Sequence, residues 1–230
     1  MFTSKARFAL VGLALFAAAC AEPDRTQIDN PLTDEQRALY FIETVDTTLS
    51  RDAKIFWESA HAGLTKDAGL DPDDPLAVAR YADSAEGKAA LRAKVEDGLR
   101  NVLAPRLMDA LGTGTKPAFL AVQLEGLNIV PPGQQILVGV GLHGIVGAVQ
   151  IYDGETGEKL SWAQVLAVGI LAQPGIAGVA AEQQSGPAYT RLLAGFAPQV
   201  KGWVAATHPI TLIGDRVKTP VPDLPGPKGF

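Results

Sequence analysis

Two hydrophobic periods divide this chain. Between 117 and 172 the period is that of strands. In Ala118–Ile129, Leu120, Val122 and Leu124 fall on one face, with Gln123 and Glu125 on the other. This is the alternation of a half-exposed antiparallel strand. Ile136–Tyr152 is longer and carries Gly139, Gly141, Gly144 and Gly147. Glycine weakens a strand, so four of them predict a bulge, a bend or a closely approaching backbone. In Leu160–Leu171 the residues Leu160, Trp162, Leu166, Val168 and Ile170 share a face. Asp153-Gly154-Glu155-Thr156-Gly157 joins the last two strands, with Gly157 suited to the left-handed position of a hairpin turn.

Elsewhere the period is helical. Leu91, Val95, Leu99, Val102 and Leu103 recur three and four apart, a buried stripe for a helix over Glu86–Leu111. Ser84 is its expected N-cap and Gly112 its C-cap, and Pro105 predicts a kink or a division. A closing helix over Ala188–Ala206 has Pro187 in its first turn and an apolar face of Leu192, Leu193, Phe196, Val200, Trp203 and Val204. A short helix, Leu76–Tyr81, follows the turn cluster Asp71–Pro75. Upstream, Thr33-x-x-Gln36 has the form of a capping box opening a helix through Ile42. The β-branched residues from Ile42 to Thr48 favour instead a strand over Tyr40–Leu49. Arg51–Asp74 and Gln173–Gly186 read as irregular. The order β, long α, β-β-β, α predicts an α+β protein. Its antiparallel sheet of about four strands would be packed on one face by two helices, as a two-layer sandwich.

The stretch Lys5 to Cys20 changes the picture. Lys5 and Arg7 precede an apolar run, Phe8–Phe16, which is followed by Ala17-Ala18-Ala19-Cys20. The run is too short to span a bilayer, which takes roughly 20 apolar residues, and it reads as an export signal. A small-residue stretch ending in cysteine resembles the lipobox of bacterial lipoproteins, although Ala17 stands where that family prefers Leu. The resemblance implies diacylglycerol on the Cys20 thiol and Cys20 as the mature N-terminus. Because Ala21 is not Asp, it also implies sorting to the outer membrane, facing the periplasm. The competing reading is an ordinary Ala-x-Ala cleavage site with a lone thiol. The expected divisions are a signal peptide 1–19, a lipidated tether 20–35, a single α+β domain 36–208 and a flexible tail 209–230.

Composition narrows the function. With 47% hydrophobic and 20% charged residues the chain is globular rather than disordered. Its net charge is −5, and nucleic acid would favour a basic face instead. Loss of Lys5 and Arg7 with the signal would leave 18 of the 20 basic residues against 25 acidic ones, a balance of −7. Attachment would then rest on the lipid, not on a basic surface. The single cysteine excludes an intrachain disulfide and a cysteine metal cluster.

No motif carries catalysis. Gly139-Val140-Gly141-Leu142-His143-Gly144 spells GxGxxG, but the β-branched run after it stops at Asp153 and leaves no length for a crossover helix. A lone strand histidine such as His143 is more often satisfied by a backbone group than used as a ligand. Glu58-x-x-His61 has the spacing of half a di-iron motif and lacks its second half. Ser185 stands in no G-x-S-x-G elbow. Val165–Ala181 is apolar, yet it is short and broken by Gln173, Pro174 and Gly175. Trp57, Trp162 and Trp203 read as core anchors. No cofactor or metal is expected.

The pattern as a whole, from Tyr40 to Ala206, resembles a group of small proteobacterial envelope lipoproteins of unknown function. The residues that match are Val138, Gly139, Gly141 and His143, then Asp153, Thr156, Gly157 and Leu160. More distantly it looks like lipid-anchored auxiliary subunits of envelope transport and assembly systems. The resemblance implies action by binding, with no catalytic residues to carry over. The expectation is a non-catalytic binding or scaffolding protein, anchored to the membrane through lipid on Cys20. It would hold another envelope protein or a lipid, with Gly139, Gly141 and His143 as a possible binding surface. A small-ligand or lipid carrier and a periplasmic hydrolase with dispersed residues are the alternatives.

Overall fold

The computed structural model describes residues 25–28, 31–112, 114–138, 141–206, 210–213 and 224–226. They fall into two units. The smaller holds a two-stranded antiparallel ladder of β1 (Arg25–Ile28) and β6 (Ile210–Ile213), running from Arg25 opposite Ile213 to Ile28 opposite Ile210. Strand pairing therefore occurs where the sequence suggested only a flexible tether and a flexible tail.

The larger unit runs in the order α1 (Asp34–Leu39), β2 (Tyr40–Trp57), α2 (Glu58–Asp67), α3 (Pro75–Asp83), α4 (Ala85–Gly98), a π-helical turn (Leu99–Leu103) and α5 (Ala104–Leu107). Then follow β3 (Lys116–Ile129), α6 (Pro132–Val138), β4 (Leu142–Asp153), β5 (Gln164–Leu171), α7 (Gly175–Gln184) and α8 (Ala188–Val204). The sheet order is β2-β3-β4-β5. β3–β4 and β4–β5 are antiparallel, but β2–β3 is parallel, so the sheet is mixed rather than antiparallel. The α2–α5 layer lies between β2 and β3 in the chain. A helical crossover of this kind returns the next strand in the same direction.

Both readings of the first element hold in part, one after the other: the helix stops at Leu39 rather than Ile42, and the strand follows it. Thr33 and Gln36 form a reciprocal capping box on α1, and β2 begins at the residue after α1 ends. β2 continues through Arg51, Asp52 and Lys54 to Trp57, with a register irregularity between Leu49 and Lys54. Ser84 caps α4, its hydroxyl accepting from the Gly87 N–H at 2.9 Å. The π-helical turn comes just ahead of Pro105. A proline there has no N–H to donate and crowds the carbonyl four residues back, and a widened turn accommodates both.

Four predictions of secondary structure change. Arg51–Asp74, read as irregular, holds the end of β2 and the whole of α2. Ile136–Val138 belongs to α6, and β4 starts only at Leu142. Leu160 and Trp162 precede β5, and Trp162 is exposed. The small-residue stretch after Gln173 is α7, bracketed by Gly175 (φ 74°) and Gly186 (φ 83°), conformations that favour glycine.

The helices cover one sheet face, as the apolar stripes require. Val95, Leu99 and Leu103 from the first helical stripe are fully buried, as are Phe196, Val200 and Trp203 from α8. α8 packs on β4, β5 and the π-helical turn, while α4, α5 and the turn pack on β2. The opposite face is drier than expected. Phe119, Ala121, Ala148 and Tyr152 form a second apolar cluster there, closed by Leu224 from the supposed tail. A third cluster, Ala60, Leu64, Tyr81 and Leu91, ties α2 and α3 to α4.

Candidate functional site

The site of most interest lies where α6 and α7 meet one end of the sheet. β3 ends at Ile129, so Val130 has left the ladder and its peptide groups need other partners. Two side chains supply them. The Val130 N–H donates to His143 Nδ1 at 3.1 Å, and Gln135 Nε2 donates to the Val130 carbonyl at 3.2 Å. Both side chains are buried, His143 at 1% and Gln135 at 3% exposure. An accepting Nδ1 places the proton of a neutral imidazole on Nε2. Asn128 Nδ2 donates to the Leu142 carbonyl at 2.8 Å, which pins the start of β4 beside the end of β3.

His143 and Gln135 form part of the wall of a cavity of about 340 Å³. Ile129, Val130, Pro132 and Val179 add apolar wall, and Ser59 and Arg191 add polar groups. Pro187 and Ala188, which open α8, also border it. A helix N-terminus presents partial positive charge, so this end of the cavity suits a polar or negative group and the rest suits apolar matter. Apolar walls with a few convergent polar groups are the usual build of a small-molecule site.

Of the three residues proposed as a binding surface, Gly139 lies outside the described residues, as does the proposed lipidation residue Cys20. His143 sits in the cavity wall, not on an open sheet face. Gly141 is a spacer: a Cβ on it would meet Val130 Cγ1 at 2.8 Å. The backbone thus approaches closely at one of the glycines that predicted it. The imidazole nitrogen that holds an amide N–H is not available to take a proton from a nucleophile. Gln135 and Arg191 escaped sequence analysis, because neither belongs to a motif. They reach the cavity only through the placement of α6 and α8.

Exposed apolar groups lie on α6, α7, β4 and β5, of which α6, α7 and β4 contribute residues to the cavity wall. Leu137 on α6 is 86% exposed and Ile176 on α7 74%. Leu142 and Leu171, paired across β4 and β5, are exposed as well. No Asp, Glu, Lys or Arg occurs from 126 to 152 or from 160 to 181.

A neighbouring groove of about 770 Å³, between α2, α3 and α6, is lined by both Glu58 and His61. Among the described residues no three His, Cys, Asp or Glu side chains gather as a metal site. Nor is any helix among them long and apolar enough to cross a membrane.

No protein-family model and no curated protein matches the chain. Among solved structures it is similar to a "putative lipoprotein" from Caulobacter crescentus CB15. The identity is 17%, over 49% of this chain and 97% of that one, with a TM-score of 0.26.

Proposed function

We propose that this chain is a lipid-anchored, non-catalytic binding or scaffolding protein of the bacterial cell envelope. Cys20 would hold it on the outer membrane, facing the periplasm. The observation that carries the binding reading is the α6–α7 corner, a cavity of about 340 Å³ with mostly apolar walls, on elements that also carry exposed apolar side chains. Exposed apolar groups gathered on adjacent elements mark places where a partner or a lipid is held. The occupant is an envelope protein or a lipid that seats an apolar part among Leu137, Leu171 and Ile176 and a polar end toward Ser59 and Arg191. The anchor rests on the stretch Ala17-Ala18-Ala19-Cys20, since two or more acyl chains give stable attachment where one is marginal.

The test is a photo-crosslinking amino acid placed in living cells at Leu137 and, as a control, at exposed Lys88. A discrete protein or lipid adduct at 137 and none at 88 is expected. Labelled palmitate should enter the wild-type chain, and Cys20→Ala should lose both the label and the membrane fraction. Equal adducts at both positions would remove the binding corner. A Cys20→Ala chain that stays at the membrane, beside an unlabelled wild type, would remove the anchor.

A further inference from the structure

The second face of the sheet, away from the α6–α7 corner, holds a different kind of site. Cα partners in an antiparallel pair share a face, and the ladder sets Phe119 opposite Tyr152 and Ala121 opposite Gln150. Gln150 is fully buried. Its Nε2 donates to the Ser161 carbonyl at 3.1 Å, which turns its Oε1 the other way. There the Oε1 accepts the N–H of Leu224 at 2.8 Å. The Tyr152 hydroxyl reaches the carbonyl of the same Leu224, and lies 2.9 Å from Gln150 Oε1. Two side chains of β4 therefore read both backbone groups of one residue. The Leu224 side chain fills the depression among Phe119, Ala121, Ala148 and Tyr152 and is 4% exposed. Pro225 stands exposed, and Gly226 lies against the Tyr152 ring.

We propose that this face is a recognition site for an extended leucine–proline peptide, occupied here by the chain's own residues 224–226. The chemistry is complete for one residue and its successor. An acceptor meets the leucine N–H, a donor meets its carbonyl, and an apolar hole takes its side chain. The following proline has no N–H that would need a partner, and it biases the leucine toward extended backbone. This differs from addition to a sheet edge, because the peptide lies on the face and side chains bind it. The tail competes from the same chain, with the advantage of high effective concentration. A partner segment of the same type displaces it. The site stands independently of the function proposed for the α6–α7 corner.

The test uses the full chain with Leu224→Asp, which ejects the tail, and a synthetic peptide of residues 221–230. Amide spectra should show saturable binding, with shifts at Gln150, Tyr152 and Ser161. The peptide carrying Leu224→Asp should bind at least tenfold more weakly, and so should the wild-type chain, whose own tail fills the site. Gln150→Leu on the released chain should lose binding by a similar factor. A folded Leu224→Asp chain that binds no peptide overturns the proposal. So does an unfolded one, since the segment would then be an obligatory part of the core. In the wild type, the Leu224 amide should exchange with solvent at least tenfold faster than that of Ile151. Equal protection would overturn displacement.

Discussion

The hydroxyl of Tyr40, the first residue of β2, donates a 2.6 Å hydrogen bond to Asp153 Oδ2, at the end of β4. The two strands are not neighbours, since β3 runs between them. The other carboxylate oxygen accepts the N–H groups of Glu155 and Thr156, each at 2.8 Å. One carboxylate thus closes the hairpin turn and ties the first strand of the sheet to it. Both residues are buried. A hydrogen bond to a charged group contributes about 1.5–3 kcal/mol. Tyr40→Phe should therefore lower unfolding free energy at neutral pH by about that much, read as a fall in the urea midpoint at unchanged slope. A midpoint equal to that of the wild type would show the bond to be idle.

The same pair sets a pH dependence. The Tyr40 hydrogen bond, then the turn N–H groups, hold the Asp153 carboxyl down at about 2 against the opposing effect of burial. The Asp153 hydrogen bond first, and burial second, push the Tyr40 phenol up to about 12. A lowered carboxyl stabilises the fold above its unfolded value near ~4, and that contribution is lost as pH falls toward about 2. A raised phenol contributes fully below ~10, and the contribution is lost as pH rises through about 12. The stability gap between wild type and Tyr40→Phe should be flat between roughly pH 5 and 9 and shrink on the acid side. Urea titrations at pH 7 and near pH 2.5 check this, and an undiminished gap in acid would contradict it.

Two glycines on helices should respond to alanine with opposite signs. Gly63, inside α2, has nothing within 4 Å of the place an alanine methyl would take, so Gly63→Ala should stabilise by about 0.5–1 kcal/mol through backbone entropy. At Gly98, the last residue of α4, a Cβ would lie 2.2 Å from Tyr189 Cε1. The Tyr189 hydroxyl donates to the Val95 carbonyl at 2.6 Å, and its ring packs 5.0 Å from that of Trp57. The ring has no room to yield without breaking these. Overpacking costs about 1–3 kcal/mol, which exceeds the helix gain. Gly98→Ala should melt lower and Gly63→Ala higher, by calorimetry. The same sign at both sites would refute the argument.

These pairs show which parts of the fold the sequence displays. Stripes such as Leu91–Val95–Leu99 and caps such as Ser84 are local signals, and the structure keeps them. The turn at Asp153 was equally visible, but its Tyr40 partner, 113 positions away, was not. The far half of β2 was hidden because the polar run Ser50-Arg51-Asp52 and a register shift interrupt the alternation on an edge strand, so that Ile55-Phe56-Trp57 does not read as its continuation. Arg92 from α4 reaches across to the Ser50 carbonyl at 2.9 Å where the ladder shifts register. α7 was hidden because Ala and Gly give no apolar stripe, although Gly175 and Gly186 marked its ends. Leu224 among prolines looked like part of an unstructured tail. Its place depends on Gln150 and Tyr152, and no local pattern encodes that.

His143→Ala should loosen the cavity wall. It removes the acceptor of the Val130 N–H, a buried backbone group beyond the end of its strand. An unsatisfied buried donor costs about 1–3 kcal/mol, with a further loss for the vacated ring volume. The Val130 amide should exchange with solvent faster in the variant, while the Leu124 amide in mid-strand keeps its protection. An unchanged Val130 amide would mean that the imidazole does not hold it.

The glycine-rich segment should sort by position. At Gly141 a Cβ would press on Val130 Cγ1 at 2.8 Å and Cγ2 at 3.0 Å. Valine is stiff about χ1, and the His143 and Gln135 hydrogen bonds fix its backbone. Gly141→Ala must therefore shift Val130 and strain both bonds, at a cost of about 1–3 kcal/mol. At Gly144 the nearest atom to a Cβ is the Val168 carbonyl oxygen at 3.9 Å, an ordinary contact. Gly144→Ala should be neutral or stabilising by up to about 1 kcal/mol, since alanine loses less backbone entropy than glycine in a strand. Urea midpoints of the two variants separate a glycine required by close approach from one that is not. Equal losses at both positions would mean that the strand as a whole, and not its approach to Val130, demands glycine.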